Sequence, residues 1–301
     1  ARGDHVRVLD NLSTGKRENA RGAELIVGDI TDFKAVVDAV ADVDGCFHLA
    51  AIASVELGRT DWLGTHRTNL TGTINLFEAV RRVRGEKTVP IIYASSAAVY
   101  GDCNALPISE SERPSPLSAY GADKLGCELH AKVGWHVHGL PSVGLRFFNV
   151  FGPRQDASSP YSGVISVFGD RLRAGRGLDI FGDGGQTRDF IYVKDVVRGL
   201  LTAMGHREGA AIFNVCTGIG TSIRDLAMLM AKLYGRTPII AHGPERVGDI
   251  RTSVGDPALA ARALGFAAAT TLSDGLKETV ASLNDASRPD AEQLQERRHV
   301  R

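Results

Sequence analysis

The sequence predicts an α/β fold, a doubly wound parallel sheet with a smaller C-terminal lobe. Three observations predict it. Short apolar runs alternate with stretches of helical apolar spacing from residue 6 to about residue 152. Runs such as "ELIVGD" and "PIIYASS" read as strands buried on both faces, as in a sheet covered by helices on either side. Glycine is frequent, at 34 of 301 residues, which suits many tight strand-to-helix turns.

The elements follow in order. Residues 6–9 form a strand that stops on Asp10, and Asn11, Ser13 and Gly15 turn the chain. "ELIVGD" (24–29) is a second strand, ending on Asp29. "TDFKAVVDAVAD" (31–42) opens with good N-cap chemistry and has helical spacing. "GCFHLAA" (45–51) is a strand. In "TNLTGTINLFEAVRRV" (68–83), Leu70, Ile74, Phe77 and Val80 share a helical stripe. "PIIYASS" (90–96) is a buried strand, 118–137 a helix, and "SVGLRFFNVFG" (142–152) a strand.

After Gly152 the rhythm changes. A Pro- and Ser-rich loop (153–163) leads to a helix (164–174), the short strand "LDIFG" and the loop "DGGQTRD". "FIYVKDVVRGLLTAM" (190–204) is expected to add one more strand and helix to the main sheet. Shorter elements run on to about residue 284, and the charged residues 285–301 read as a tail.

Composition excludes several classes. Lysine plus arginine equal aspartate plus glutamate at 35 each, so no charge excess points to nucleic acid or an anionic membrane. Cys46, Cys103, Cys127 and Cys216 are scattered, as in free thiols of a reducing compartment. No metal site is expected: His136 and His138 have no third ligand spaced nearby. Arg81, Arg82 and Arg84 read as a solvated helix face. No run is long enough to span a bilayer and no signal peptide is visible, so a cytoplasmic protein is the default.

Three features carry chemistry. Asp10 at a strand end can accept hydrogen bonds from ribose hydroxyls and repel a 2′-phosphate. In "YGADK", Tyr120 and Lys124 stand four residues apart, on one helical face, where an ammonium stabilises a phenolate. In "YASSAAVYGD", Ser95 and Ser96 leave a buried strand, where a hydroxyl can meet a substrate oxygen. Each alone has a bland reading: a turn carboxylate, a surface pair, a Ser-rich turn. Strand, Ser-Ser, loop and Tyr-x-x-x-Lys together on an α/β rhythm do not.

With "VLDNLSTG", "GDITD", "HLAA", "NLTGT", "LRFFNVFGPRQ", "IFGDGGQTRDFIYVKD" and "ERVGDIR", the chain resembles the extended short-chain dehydrogenase/reductase family. Within it, the nucleotide-sugar 4-epimerases of the UDP-glucose 4-epimerase type are most similar. The resemblance implies a Rossmann-like NAD-binding domain (1–150 and 187–217), a nucleotide-sugar lobe (151–186 and 218–284) and a polar tail (285–301). It implies Tyr120 as base, Lys124 on the nicotinamide ribose and Ser96 on the sugar 4-oxygen. The cofactor set it implies is Asp10, Asn11, Asp29, Ile30, Leu49, Ala50, Ala51, Asn69, Tyr120, Lys124 and Phe147. The substrate set is Ser95, Ser96, Asn149, Val164, Phe181, Arg188, Arg246, Asp249 and Ser253.

The resemblance also implies a homodimer built on the helices at about 66–84 and 118–137. The family begins with a strand, a Gly-x-x-Gly-x-x-Gly turn and a helix. Counting back about 20 residues from Asp10 puts those glycines before residue 1, so the sequence reads as entering the fold at its second strand. Related dehydratases carry an Asp-Glu pair where Ala97 and Ala98 stand, which favours epimerisation over elimination. The alternatives are a UDP-glucuronate 4-epimerase, another NAD-dependent nucleotide-sugar oxidoreductase or, more distantly, an NAD-sensing scaffold. In the family, the residue seven after the arginine of "RVGD" borders the sugar C2 substituent. From Arg246 that is Ser253, small enough for an N-acetyl group.

Overall fold

A computed structural model describes residues 3–155, 163–246 and 249–285. Most of the expected polar tail and much of the 153–163 loop lie outside them. The first half is a parallel sheet in two parts. β1 (Arg7–Asp10) pairs with β2 (Glu24–Val27), Asp10 standing opposite Val27. β3 (Cys46–His48), β4 (Ile91–Ser96), β5 (Ser142–Phe147) and β9 (Ala210–Val215) form the other part, in that order and all parallel.

Helices cover both faces. On one side, α1 (Phe33–Ala39), α4 (Gly72–Val83) and α5 (Ala119–His138) bury Val36, Leu76, Phe77, Val80, Cys127 and Ala131 against Ile91 and Tyr93. On the other, α7 (Val193–Ala203) and α9 (Ala258–Leu264) bury Val196, Leu200 and Ala260 against Ile92, Val143 and Leu145. This is the predicted doubly wound arrangement. α1 is shorter than the predicted 31–42, because the Asp32 carboxylate caps it, accepting from the Lys34 and Ala35 amides. α2 (Val55–Thr60) and α3 (Trp62–His66) follow β3, and a π-helical turn (Arg67–Thr71) joins α3 to α4.

Two expectations need correction. The predicted strand 142–152 is two strands. It breaks at Phe148, and β6 (Asn149–Phe151) leaves the main sheet to pair with β8 (Thr187–Tyr192). β8 takes in residues read as loop, and it does not join the main sheet. It pairs with β6, with β10 (Gly220–Ser222) and with β12 (Thr252–Ser253). A buried strand run does not announce which sheet it enters.

The smaller lobe has its own core. α6 (Val164–Arg173), α8 (Ile223–Leu233) and α10 (Leu272–Asp285) bury Ile165, Phe168, Leu226, Met230 and Leu276 around Phe190 and Tyr192. β7 (Leu178–Phe181) pairs with β11 (Ile240–Gly243) at its edge. No helix among the described residues is long and apolar enough to cross a membrane.

Candidate active site

The chemistry-bearing residues sit at the C-terminal ends of the parallel strands, where open α/β sheets place their crevice. α5 starts cleanly because the Ser118 hydroxyl caps it, accepting from the Gly121 amide. Its first turns present Tyr120 and then Lys124 on one side. The Lys124 Nζ is 5.8 Å from the Tyr120 ring centre and donates to the Ala94 carbonyl of β4 at 2.7 Å. Lys124 is only 4% exposed. Ser96 ends β4, and its Oγ accepts from the Ala98 amide at 3.1 Å, which leaves its O–H free to donate.

Ser95 does not share this role. Strand neighbours point to opposite sides. Ser95, expected at the substrate, is buried and donates its hydroxyl to Glu128 of α5 at 2.6 Å, so its proton is engaged within the protein. Asn69 is likewise engaged within the protein. Its side-chain oxygen accepts from the Ile52 amide at 2.7 Å and its NH2 donates to the Ile52 carbonyl at 3.1 Å. Both ends of the amide hold the chain after β3, so Asn69 shapes the loop at Ile52.

The remaining cofactor candidates lie along one edge. Asp10 Oδ1 accepts from the Leu12 amide at 2.7 Å, and Oδ2 has no protein partner among the described residues. A Cβ on Gly15 would come within 2.8 Å of the Asp10 carboxylate, so glycine leaves that carboxylate its room. Asp29 accepts from the Thr31 amide and hydroxyl and from Asn11 Nδ2, all within 2.8 Å. The Thr31 hydrogen bonds, led by its amide, hold the Asp29 carboxyl below its ordinary value. Ile30 packs against Gly72 and its carbonyl accepts from Asn75 Nδ2. Leu49 and Ala50 are exposed and Ala51 half-buried just past β3, and Phe147 ends β5 opposite Ser96. These residues fit NAD: carboxylate acceptors at β1 and β2 suit ribose hydroxyls, and the small residues after β3 leave the strand ends open.

On the lobe side, Arg246 stacks over the Phe181 ring, its guanidinium carbon 3.9 Å from the ring centre. Arg188 Nη2 pairs with Asp249 Oδ1 at 2.5 Å, and burial lowers the Arg188 pKa. Ser253 stands directly opposite Arg188 in the β12–β8 pairing. Val164 opens α6, half-buried, and Asn149 opens β6, exposed. Glu56 of α2, held low chiefly by Arg59, is also within electrostatic reach of Arg246, so the two halves face each other there.

Strand pairings hold each of the two groups. Ser96 is opposite Phe147, Asn149 opposite Phe190, and Arg188 opposite Ser253. The pairings belong to separate sheets, and the chain crosses from one to the other at Phe148, so covalent chain and not one ladder links the Ser96 end to the Ser253 end. Several buried polar residues escaped the reading of the sequence, among them His48, Glu128 and Arg146. The available signal was a charged residue inside an apolar run, "GLRFF", which must find a partner when buried. Among the described residues no cluster of His, Cys, Asp and Glu could hold a metal.

Residues 1–216 match the profile of the NAD dependent epimerase/dehydratase family. The UDP-glucose 4-epimerase of Mycolicibacterium smegmatis is 35% identical over 295 residues, covering 93% of this chain and 91% of its own length. The crystal structure of the Thermotoga maritima UDP-glucose 4-epimerase with UDP-glucose superposes with a TM-score of 0.90 at 34% identity, over 95% of this chain and 93% of that one. The UDP-N-acetylglucosamine 4-epimerase of Methanobrevibacter ruminantium, in complex with UDP-N-acetylmuramic acid, gives 0.88 at 34% identity, covering 93% and 91%.

Proposed function

The chain belongs to the NAD dependent epimerase/dehydratase family, and we propose that it is a UDP-hexose 4-epimerase that interconverts UDP-N-acetylglucosamine and UDP-N-acetylgalactosamine. The observation that supports this reading is Tyr120 and Lys124 on one side of α5 beside the end of β4, with a small residue, Ser253, opposite Arg188 in the other sheet. Asp10 and Asp29 hold the adenosine end of NAD, and Lys124 and Phe147 border its nicotinamide end. When bound, NAD supplies the acceptor and later the donor of the hydride on the sugar C4.

Ser96 donates its hydroxyl to the sugar 4-oxygen and fixes it near Tyr120. The Tyr120 phenolate takes the proton of the 4-hydroxyl, and Lys124 keeps positive charge beside that oxygen. Arg188 and Arg246 hold the diphosphate, with Phe181 against the uracil and Asn149, Val164 and Asp249 bordering the nucleotide. The 4-keto sugar stays tethered by its nucleotide while the sugar turns its other face. Tyr120 then returns the proton. Ala97 and Ala98 offer no second acid–base pair, so elimination of water has no proton carrier.

The same reading extends to a dimer. Leu129, Val133 and Val137 are exposed at successive turns of α5, an apolar stripe suited to a second copy of that helix. Incubation with each UDP-hexose, followed by product analysis, tests the substrate. Turnover of the N-acetylated pair is expected, with the plain hexoses as further substrates. Turnover of UDP-glucuronate alone, or no turnover with NAD bound, overturns the reading.

A further inference from the structure

Beneath the candidate site lies a buried charge network. Ser95 and Arg146 are directly opposite in the β4–β5 pairing, and both reach Glu128 on α5. Arg146 grips the Glu128 carboxylate with two hydrogen bonds, Nε to Oε1 at 2.8 Å and Nη2 to Oε2 at 2.7 Å. The side chains are 5% and 3% exposed. The Arg146 guanidinium also lies over the Tyr100 ring, 4.6 Å from its centre, and Nη1 donates to the Glu110 carbonyl. Tyr100 follows the turn that begins at Ser96, and its hydroxyl donates to Asn214 Oδ1 on β9 at 2.7 Å. Burial opposes the Arg146 charge, but the Glu128 hydrogen bonds outweigh it and its pKa is raised.

Tyr120, Lys124 and Glu128 follow at four-residue steps on one face of α5. Two consecutive residues of β4 bind two consecutive turns of that face: the Ala94 carbonyl takes Lys124, and the Ser95 hydroxyl binds Glu128. The next residue of β4 is Ser96. A buried ion pair is weak evidence for stability, since apolar residues of like volume often stabilise as well or better. A pair buried two helical turns from Tyr120, and bound to the residue next to Ser96, has a second possible use.

We infer that Ser95, Glu128 and Arg146 form a positioning clamp that fixes α5 on β4 and so sets Tyr120 against Ser96. This rests on the epimerase reading for its catalytic consequence. The clamp touches no substrate. It holds both sides of the geometry: the middle of α5, two turns on from Tyr120, through Glu128, and the turn after Ser96 through Tyr100. Misplacement of a catalytic group by about 1 Å can cost about a hundredfold in rate, so a looser clamp should act on kcat and spare KM.

The experiment compares wild type with Ser95→Ala and with the apolar double variant Glu128→Leu/Arg146→Met. Each is measured for stability, for kcat and KM on the UDP-hexose the wild type accepts, and for hydrogen–deuterium exchange of amides 119–124. The double variant is expected to fold with near wild-type stability, to lose about tenfold or more in kcat at unchanged KM, and to exchange faster in that turn. A folded double variant with full kcat and unchanged exchange overturns the clamp. If the double variant does not fold, Ser95→Ala decides, with a several-fold fall in kcat at constant KM expected and wild-type kcat and exchange contradicting it. Wild type inactive on every UDP-hexose sinks the epimerase reading. Faster exchange confined to 119–124 would still support the clamp, and unchanged exchange would still overturn it.

Discussion

The Lys124 ammonium lies 5.8 Å from the centre of the Tyr120 ring and is fixed there by the Ala94 carbonyl. The two side chains therefore share one side of α5, as the proposed acid–base role of Tyr120 requires. Tyr120→Phe should lower kcat by about 10²–10⁴-fold while NAD and UDP-sugar binding persist, since only the ionisable oxygen is lost. Lys124→Met should slow turnover and move the pH optimum upward. Steady-state kinetics across pH check both, and an unchanged profile for Lys124→Met would remove the phenolate from the mechanism.

Cofactor choice should follow Asp10. Its Oδ2, without a protein partner among the described residues, is placed in the proposed function to accept a ribose hydroxyl, and a carboxylate there repels a 2′-phosphate. The protein should bind NAD far better than NADP. Asp10→Ala should weaken NAD by about tenfold to a hundredfold, the range of a hydrogen bond to a charged group. Titration calorimetry with both dinucleotides measures this, and equal affinities in the wild type would refute it.

Sugar choice should follow Ser253. Its place opposite Arg188 puts it beside the cation assigned to the diphosphate. Ser253→Tyr should cut kcat/KM on the N-acetylated pair about tenfold to a hundredfold more than on the plain hexoses, because the ring fills the acetamido space. Parallel losses on both pairs would show that Ser253 is not the gate.

His48 should set the upper part of the acid limb of stability. Burial, and then the Lys124 charge, hold its folded pKa at about 3, against an ordinary 6.5. Between those values the unfolded chain binds the extra proton. The stability is therefore complete above 6.5 and is lost as the pH falls towards 3. Glu78, held at about 2 by Arg81 and Arg82, gives up its share only below its ordinary 4.5, so the window from 6.5 to 4.5 belongs to His48. The slope there approaches about 1.4 kcal/mol per pH unit. Thr73 donates its hydroxyl to the Asn69 carbonyl, so the His48 Nε2–H donates to Thr73 Oγ1 at 2.9 Å. His48→Gln can keep that bond and should flatten the slope. Urea midpoints from pH 7 to 4.5 provide the comparison.

The sheet was legible because strands such as "PIIYASS" are apolar on both faces, and α5 because Ser118 and Gly139 mark its ends. The departure of β6 at Phe148 was not legible: "LRFFNVF" reads as one strand, and its partner, β8, lies some forty residues away. Tyr120, Lys124 and Ser96 were legible through their joint spacing. The division of labour between Ser95 and Ser96 was not, because β4 is buried on both faces and no polar alternation tells which hydroxyl turns inward. Asn69 entered the cofactor set through the family resemblance alone. Only the structure reveals that Ile52 uses both of its ends.

The shortness of β12 has a consequence for descent. It is two residues long and carries Ser253 opposite Arg188, in a different sheet from the one that Ser96 ends. If Ser253 borders the sugar as proposed, a codon change there alters which sugar is accepted while the proposed proton-handling end keeps its geometry. Lineages carrying this fold would then explore new sugars by drift at one short strand, with no compensating change required at β4.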